Sequence, residues 1–349
     1  MKAQVLHSYD DDLTAKSWLS YEDVPDPVIS KGSDVIVRIG GAGVCRTDLH
    51  VIEGTWRPHM DPHGNTLLPI ILGHENAGWI EELGPEVEGL QRGDPVILHP
   101  KITDTNVLRR HSEDMHGAGP LPGLDRNGGF AEAMVTSARS LVSLPKSLPP
   151  KEVAPYANAG LTAYRAAKRA TQKLLPGQTC AIIGAGGLGH IAIQIVRAMS
   201  AAEIIVIDSN HASLQLAAEC GADHLVKADG GEVDAVMSLT KGNGAEAVLD
   251  FVGETGTTSK GLAMTRQAGS YYIVGYGEDI RVSAFDLVIN EKNIIGNLVG
   301  TWAELSELME LAHRGLVQLE TQEFDLADAN TALRALLEGK IKGRAVLVP

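Results

Sequence analysis

Apolar residues along this chain follow two different rhythms. In residues 1 to 157 they come in short runs, as at Val35–Ile39, Ile70–Leu72, Val96–Leu98 and Phe130–Val135. Pro and Gly clusters break these runs, among them Pro25-Asp26-Pro27, Gly40-Gly41-Ala42-Gly43 and Gly84-Pro85. Short strands with frequent turns predict a largely antiparallel, barrel-like β domain. From Leu161 to near Leu298 helix and strand periods alternate. Strands are expected at Cys180–Ile183, Ile204–Ile207, His224–Val226, Ala247–Val252 and Ser270–Val274, and helices around Ala212–Cys220, before Thr240 and over Gly261–Gln267. That alternation predicts a doubly wound parallel sheet with helices on both faces. Amphipathic helices at Glu304–His313 and Ala327–Glu338 follow, then a β run at Ala345–Val348. This ending predicts a return to the first domain: one domain from 1–157 with 300–349, the other 158–299, and a cleft between them.

The densest chemical signal lies at the start of the alternating region. Cys180–Ile183 is followed by Gly184, Gly186 and Gly189, then by a helix pattern placing Leu188, Ile191, Ala192, Ile195, Val196 and Met199 on one face. A second apolar run ends in Asp208. Strand, glycine turn, helix, strand and acid is the context in which G-x-G-x-x-G marks a dinucleotide site. Gly184 permits the turn, Gly186 lets backbone approach a pyrophosphate, and Gly189 lets the helix pack closely. The helix amino terminus offers N–H groups to the phosphates. Asp208 is placed to accept from a ribose 2′-OH and to repel a 2′-phosphate, which points to NAD.

Composition narrows the classes. At 44% hydrophobic and 21% charged residues the chain reads as an ordinary globular protein. A net charge of −14 argues against a nucleic-acid partner and requires that an anionic cofactor be met by local cations. No secretory signal or membrane-length apolar run is expected, and Cys45, Cys180 and Cys220 are too scattered for a disulfide framework. A cytoplasmic setting is the default.

Two further patterns stand in the first domain: Gly43-Val44-Cys45-Arg46-Thr47-Asp48-Leu49-His50 and Gly73-His74-Glu75. A thiolate and an imidazole suit zinc. With CRTDLH, GHE, GGFAE at Gly128–Glu132, AGLTAY at Ala159–Tyr164, the GAGGLG turn and the closing KGRAVLVP, the whole chain resembles the zinc-dependent alcohol dehydrogenases of the medium-chain dehydrogenase/reductase superfamily.

The resemblance implies a GroES-like catalytic domain joined to a Rossmann NAD-binding domain. Cys45 and His74 match catalytic zinc ligands, and Glu75 matches an acid able to enter the coordination shell. Thr47 matches the hydroxyl that bonds the alcohol, and His50 the histidine that passes its proton towards solvent. Arg46 matches a cofactor-phosphate contact, Asp48 and Arg344 a pair behind the metal ligands, and Thr162 a residue packed on the nicotinamide. Gly184, Gly186, Gly187, Leu188, Gly189, Asp208, Val252, Val274 and Arg344 complete the implied cofactor set. The implied reaction joins a Lewis-acid metal, a proton path through Thr47 and His50, and hydride transfer to the nicotinamide.

Two departures qualify the match. The third ligand position, elsewhere a cysteine or acid, is Asn158. A neutral amide suits hard cations better and leaves a Cys/His/Asn site short of one negative charge, which Glu75 can make up. The lobe Lys101–Gly117 carries Asp104, His111, Asp114 and His116 but none of the four cysteines that hold a structural zinc in many relatives. No structural zinc held by four cysteines is expected, and the lobe reads as a charged surface loop. Asn158 also motivates a rival, a zinc-less reductase acting on an activated double bond or carbonyl. A non-catalytic dinucleotide-binding protein is a third reading, but such a protein needs no proton relay. Trp56, His59 and Trp302 are candidate pocket residues, and with 4% aromatics no aryl-lined cavity is indicated. Strand-rich stretches near Arg281–Gly300 are expected to pair across a two-fold axis, making a homodimer or homotetramer.

Overall fold

The short apolar runs of the amino-terminal region form strands that build two sheets. The computed structural model describes residues 1–60, 67–102, 115 and 119–349, with the His59 side chain outside the described atoms. The first eight strands are β1 (Lys2–Leu6), β2 (Leu19–Asp23), β3 (Asp34–Val44), β4 (Ile70–Ile71), β5 (Glu75–Leu83), β6 (Pro95–Leu98), β7 (Ala133–Ser137) and β8 (Leu141–Ser143). β1 lies between β2 and β4, antiparallel to both. β3 pairs antiparallel with β5 and β7, and β6 and β8 extend the sheet beyond β5. Helix α1 (Arg46–Ile52) follows β3 directly.

β3 runs well past the expected Val35–Ile39, through the glycines that read as a turn. The reason is crowding: a Cβ on Gly40 would meet the Trp79 ring, and one on Gly43 would meet the Glu75 carboxylate. These glycines are flat strand residues that make room for neighbours.

The second compact unit comprises Gly160–Gly300 and Arg314–Gln318. Its strands are β9 (Thr179–Ile183), β10 (Glu203–Asp208), β11 (His224–Lys227), β12 (Ala245–Asp250), β13 (Thr265–Ile273) and β14 (Asn293–Gly296). They form one parallel sheet in the order β11-β10-β9-β12-β13-β14, whose switch point falls between β9 and β12. Helix α2 (Ala159–Thr171) leads in, and α3 (Gly189–Met199), α4 (His211–Glu219), α5 (Glu232–Leu239), α6 (Thr257–Met264) and α7 (Ala284–Asn290) alternate with the strands. α3 buries Ile191, Ala192, Ile195 and Val196 as expected, but Met199 in its last turn is 37% exposed.

Two expectations fail here. Thr265–Gln267, expected in a helix, begin β13, because the chain must already pair with Ala245 across the ladder. Arg281–Gly300, read as strand-rich, holds the exposed helix α7 as well as the short edge strand β14, which pairs with β13 on one side.

The first unit comprises Met1–Ala159, Thr301–His313 and Leu319–Pro349. Its late elements are α8 (Trp302–His313), β15 (Thr321–Asp325), α9 (Ala329–Leu337) and β16 (Arg344–Val348). α9 starts later than expected because a 3-10 turn, Leu326–Asp328, precedes it. β16 lies antiparallel to β3 and parallel to β15, so the final β run completes the larger sheet. Its Ala345 and Leu347 join Val37, Val44 and Leu49 in the core of this unit. Among the described residues no helix is long and apolar enough to cross a membrane.

Candidate active site

Three elements of the first unit bring its chemistry together. Cys45 follows β3 and precedes the first turn of α1, while His74 and Glu75 sit at the start of β5, and all three are buried. Donor atoms of Cys45, His74 and Glu75 lie within 4.8 Å of one another. Gly43 and Glu75 are direct partners across the β3–β5 ladder, which explains why the motif begins with a residue lacking Cβ.

Buried partners fix each group. Asp48, wholly buried, accepts from the Cys45 N–H through Oδ2 at 2.8 Å and faces His74 Nδ1 through Oδ1 at 3.2 Å. That carboxylate–histidine contact orients an imidazole by leaving its other nitrogen as the free electron pair. His74 Nε2 is buried and has no hydrogen-bond partner of ordinary geometry. Glu75 Oε1 accepts from the Ala159 N–H at 3.0 Å, and Oε2 from the Arg344 guanidinium at 2.5 Å. Arg344 therefore pairs with Glu75, rather than with Asp48 as expected.

Electrostatics favour a cation at this place. Burial and the Glu75 charge push the Cys45 thiol up, yet the nearby His74 imidazole and the Arg344 charge outweigh them and leave it below its ordinary range. His74 moves the other way: burial lowers it, but the charge and hydrogen bond of Asp48, with help from Cys45, raise it well above the usual histidine value. The two groups together hold a proton where a metal can replace it. With Cys45 ionised and His74 neutral, three anions (Cys45, Asp48, Glu75) face one cation (Arg344), and a divalent ion cancels the difference. The charge missing from a Cys/His/Asn ligand set is thus present one shell out. An orphaned imidazole nitrogen beside a depressed thiol is a donor set that fits zinc.

The remaining predicted residues fall nearby in the chain but differ in exposure. Thr47 Oγ1 lies 3.6 Å from Cys45 Sγ, half-buried in the first turn of α1. Arg46 is exposed, and His50 is half-buried in the last turn of the same helix. Asn158 is half-buried, one residue before the N–H that binds Glu75. Trp56 packs against the core of the first unit, and the Trp302 Nε1–H donates to the Leu141 carbonyl at 2.9 Å, so both are at least partly structural. Asp104, His111, Asp114 and His116 lie outside the described residues.

In the second unit the glycine turn connects β9 to α3. Gly184 has φ +89, a Cβ on Gly189 would strike the Gly184 carbonyl, and Gly186 faces open space, with nothing within 4 Å of a Cβ position. Gly187 and Leu188 lead into α3. Asp208 ends β10 with Oδ2 accepting from the Ala185 N–H and Oδ1 from the Asn210 N–H, both at 2.7 Å. The acid is thereby tied to the glycine turn. Val252 lies across the switch point, its Cγ2 2.8 Å from a Cβ position on Gly184. Val274 follows β13 at the same edge, and Thr162 is buried on α2.

Two residues eluded sequence reasoning: Ala159, which contributes only a backbone N–H, and Arg344 as the partner of Glu75. The signal for the second was present, since an arginine opening an otherwise apolar final strand needs a buried counter-ion.

Comparison with known proteins agrees with this geometry. Residues 31–146 match the family described as alcohol dehydrogenase GroES-like domain, and residues 187–314 match zinc-binding dehydrogenase. The chain is 36% identical, over 95% of its length and 96% of the relative's, to an NAD-dependent alcohol dehydrogenase of Sulfurisphaera tokodaii. It is also 36% identical to a D-arabinose 1-dehydrogenase (NADP(+)) of Saccharolobus solfataricus, over 95% of this chain and 94% of that one. Among solved structures, an alcohol dehydrogenase from the hyperthermophilic archaeon Aeropyrum pernix superposes with a TM-score of 0.93 and 45% identity, covering 100% of both chains.

Proposed function

The chain belongs to the zinc-type alcohol dehydrogenases of the medium-chain dehydrogenase/reductase superfamily, and on that premise we propose that it interconverts a primary or secondary alcohol and its aldehyde or ketone, with NAD as hydride partner. The observation that carries this reading is the buried Cys45–His74–Glu75 cluster with an unsatisfied imidazole nitrogen. Zinc bound there supplies Lewis acidity towards the substrate oxygen. Cys45 and His74 are its proposed ligands, with Glu75 or Asn158 completing the set. Asp48 keeps the His74 proton on Nδ1 and so leaves Nε2 for the metal.

Thr47 is proposed to take the substrate hydroxyl proton and His50 to carry it outward. Arg46 meets the cofactor phosphates; Gly184, Gly186, Gly187, Leu188 and Gly189 cradle them; Thr162, Val252 and Val274 flank the nicotinamide side. Asp208 favours NAD because a carboxylate at that place accepts from the ribose 2′-OH and repels a 2′-phosphate. That choice separates this chain from its NADP-linked sugar dehydrogenase relative. Arg344 acts on the metal side, through Glu75.

Protein purified without chelator is expected to hold about one zinc per chain and to reduce NAD⁺ with a panel of alcohols. Stripped protein that oxidises alcohols at full rate would favour the zinc-less reading instead. A homo-oligomer is proposed as well: α7 exposes Phe285 (71%) and Val288 (74%) beside the outermost strand, β14. Cys45, Cys180 and Cys220 all stand as thiols, which supports a cytoplasmic setting.

A further inference from the structure

One residue of the second unit is joined, by its side chain and its main chain, to both loops that carry Val252 and Val274. Asp250 is the last residue of β12 and is completely buried. Its Oδ1 accepts from the N–H groups of Val252 at 2.8 Å and Gly253 at 3.0 Å. Its main-chain carbonyl accepts from Val274 at 2.9 Å and Gly275 at 3.0 Å. Oδ2 accepts from the hydroxyl of Tyr271, a fully buried residue of β13, at 2.7 Å. Burial and the Asp250 bond push that hydroxyl well above its ordinary range, so it remains a donor.

The loops also touch backbone to backbone. Gly253, at φ +63, has no space for a Cβ against Gly275, and Gly275 has none against the Val252 carbonyl. Beyond them, the Glu278 N–H donates to the Gly253 carbonyl at 3.1 Å, and its carboxylate accepts from Gly256 at 2.7 Å and Thr258 at 2.9 Å, at the start of α6. On the other side Val252 abuts the Gly184 turn. The Asp250 side chain thus fixes the Val252 loop and ties it through Tyr271 to β13, the strand that leads into Val274, while its main-chain carbonyl holds the Val274 loop; both loops lie at the carboxyl ends of adjacent strands, the edge of such a sheet where ligands bind. An acceptor oxygen at this buried place satisfies two N–H groups that would otherwise be left unpaired, which holds the turn in one conformation.

We infer that Asp250 is a positioning residue for the dinucleotide: it holds Val252 and Val274 in register with the glycine turn, without touching the cofactor. This rests on the cofactor reading given above. The test compares wild type with Asp250→Glu, Asp250→Asn and Asp250→Ala by fluorescence titration of NAD⁺ alone, thermal melting, and initial rates with an alcohol. Asp250→Glu keeps the charge but moves the oxygens outward by one methylene. Asp250→Asn keeps an oxygen for Val252 and Gly253 and turns its amide towards Tyr271.

In Asp250→Ala, which lacks the acceptor, and Asp250→Glu, which displaces it by one methylene, the Kd and KM for NAD⁺ should rise about tenfold or more, because the Val252 and Gly253 N–H groups lose their partner. The KM for alcohol at saturating NAD⁺ should change much less, and Asp250→Asn should restore most of the NAD⁺ affinity. If Asp250→Ala does not fold, Asp250→Glu and Asp250→Asn still decide the question. Wild type that binds NAD⁺ and an Asp250→Glu variant that melts earlier yet binds NAD⁺ equally well would overturn the assignment alone. Wild type that binds no NAD⁺ would overturn the cofactor reading and the assignment together.

Discussion

The Glu75–Arg344 pair gives the sharpest energetic prediction. Its side chains are 0% and 4% exposed and meet at 2.5 Å. Replacing Arg344 by Met leaves a buried carboxylate bonded only through Oε1, and replacing Glu75 by Gln leaves a buried guanidinium without its anion. Breaking a pair this deep costs about 3–5 kcal/mol, whereas removing both charges together is often close to neutral. Each single variant should therefore lose about 3–5 kcal/mol of unfolding free energy, and the double variant less than either one. Ala159 keeps an acceptor in Glu75→Gln, so its N–H does not confuse the comparison. The assay is urea unfolding of chelator-treated protein, because metal binding would otherwise add its own stabilisation to every folded variant. Additive losses, or single losses near about 1 kcal/mol of the kind seen for exposed pairs, would refute the reasoning.

Further outcomes follow from the same geometry. Asn158→Asp should hold zinc more tightly in competition with a chelator if Asn158 is a ligand, and unchanged retention would place it outside the coordination shell. Asp208→Gly should lower the preference for NAD⁺ over NADP⁺, measured as the ratio of kcat/KM values, and an unchanged ratio would remove Asp208 from cofactor selection. Glu278 is held below its ordinary carboxylate range by the N–H groups of Thr258 and Gly256. A lowered folded-state value means that its contribution is complete above the ordinary glutamate value of 4.5 and is lost as pH falls through the folded value. Glu278→Gln should therefore flatten the acid side of the stability profile, and a superimposable profile would show that the contact is idle. Phe285→Glu with Val288→Glu should shift the protein to a smaller species in light scattering, if that face joins copies.

Legibility in the sequence depended on whether a feature was local. The glycine turn and Asp208 are local: one strand, one turn and one helix, with Gly184 at φ +89 where a side chain would be strained. The long β3 was hidden because glycine normally marks turns; its flat continuation is imposed by Trp79 and Glu75, which approach from elsewhere in the chain. The helix read over Gly261–Gln267 failed for a related reason, since apolar spacing fits either element over a few residues and pairing with β12 decides it. At the candidate site Cys45 and Asp48 belong to one motif, but Glu75 and Arg344 are 269 residues apart, and no periodicity connects them.

That separation has a consequence for the order in which the protein is built. β3 obtains its β16 neighbour, and Glu75 its cation, only after the whole second unit has been synthesised. Residues 160–300 are contiguous and can fold as they emerge, whereas in the first unit the Ala42–Val44 end of β3, beyond its pairing with β7, has no neighbour on that side until β16 is made. Until Arg344 is made, Glu75 lacks the cation that it pairs with in the folded chain. The last strand thus brings two things at once, the antiparallel neighbour of the Ala42–Val44 end of β3 and the cation of Glu75, so the complete site requires a chain made through Arg344 and on to Leu347.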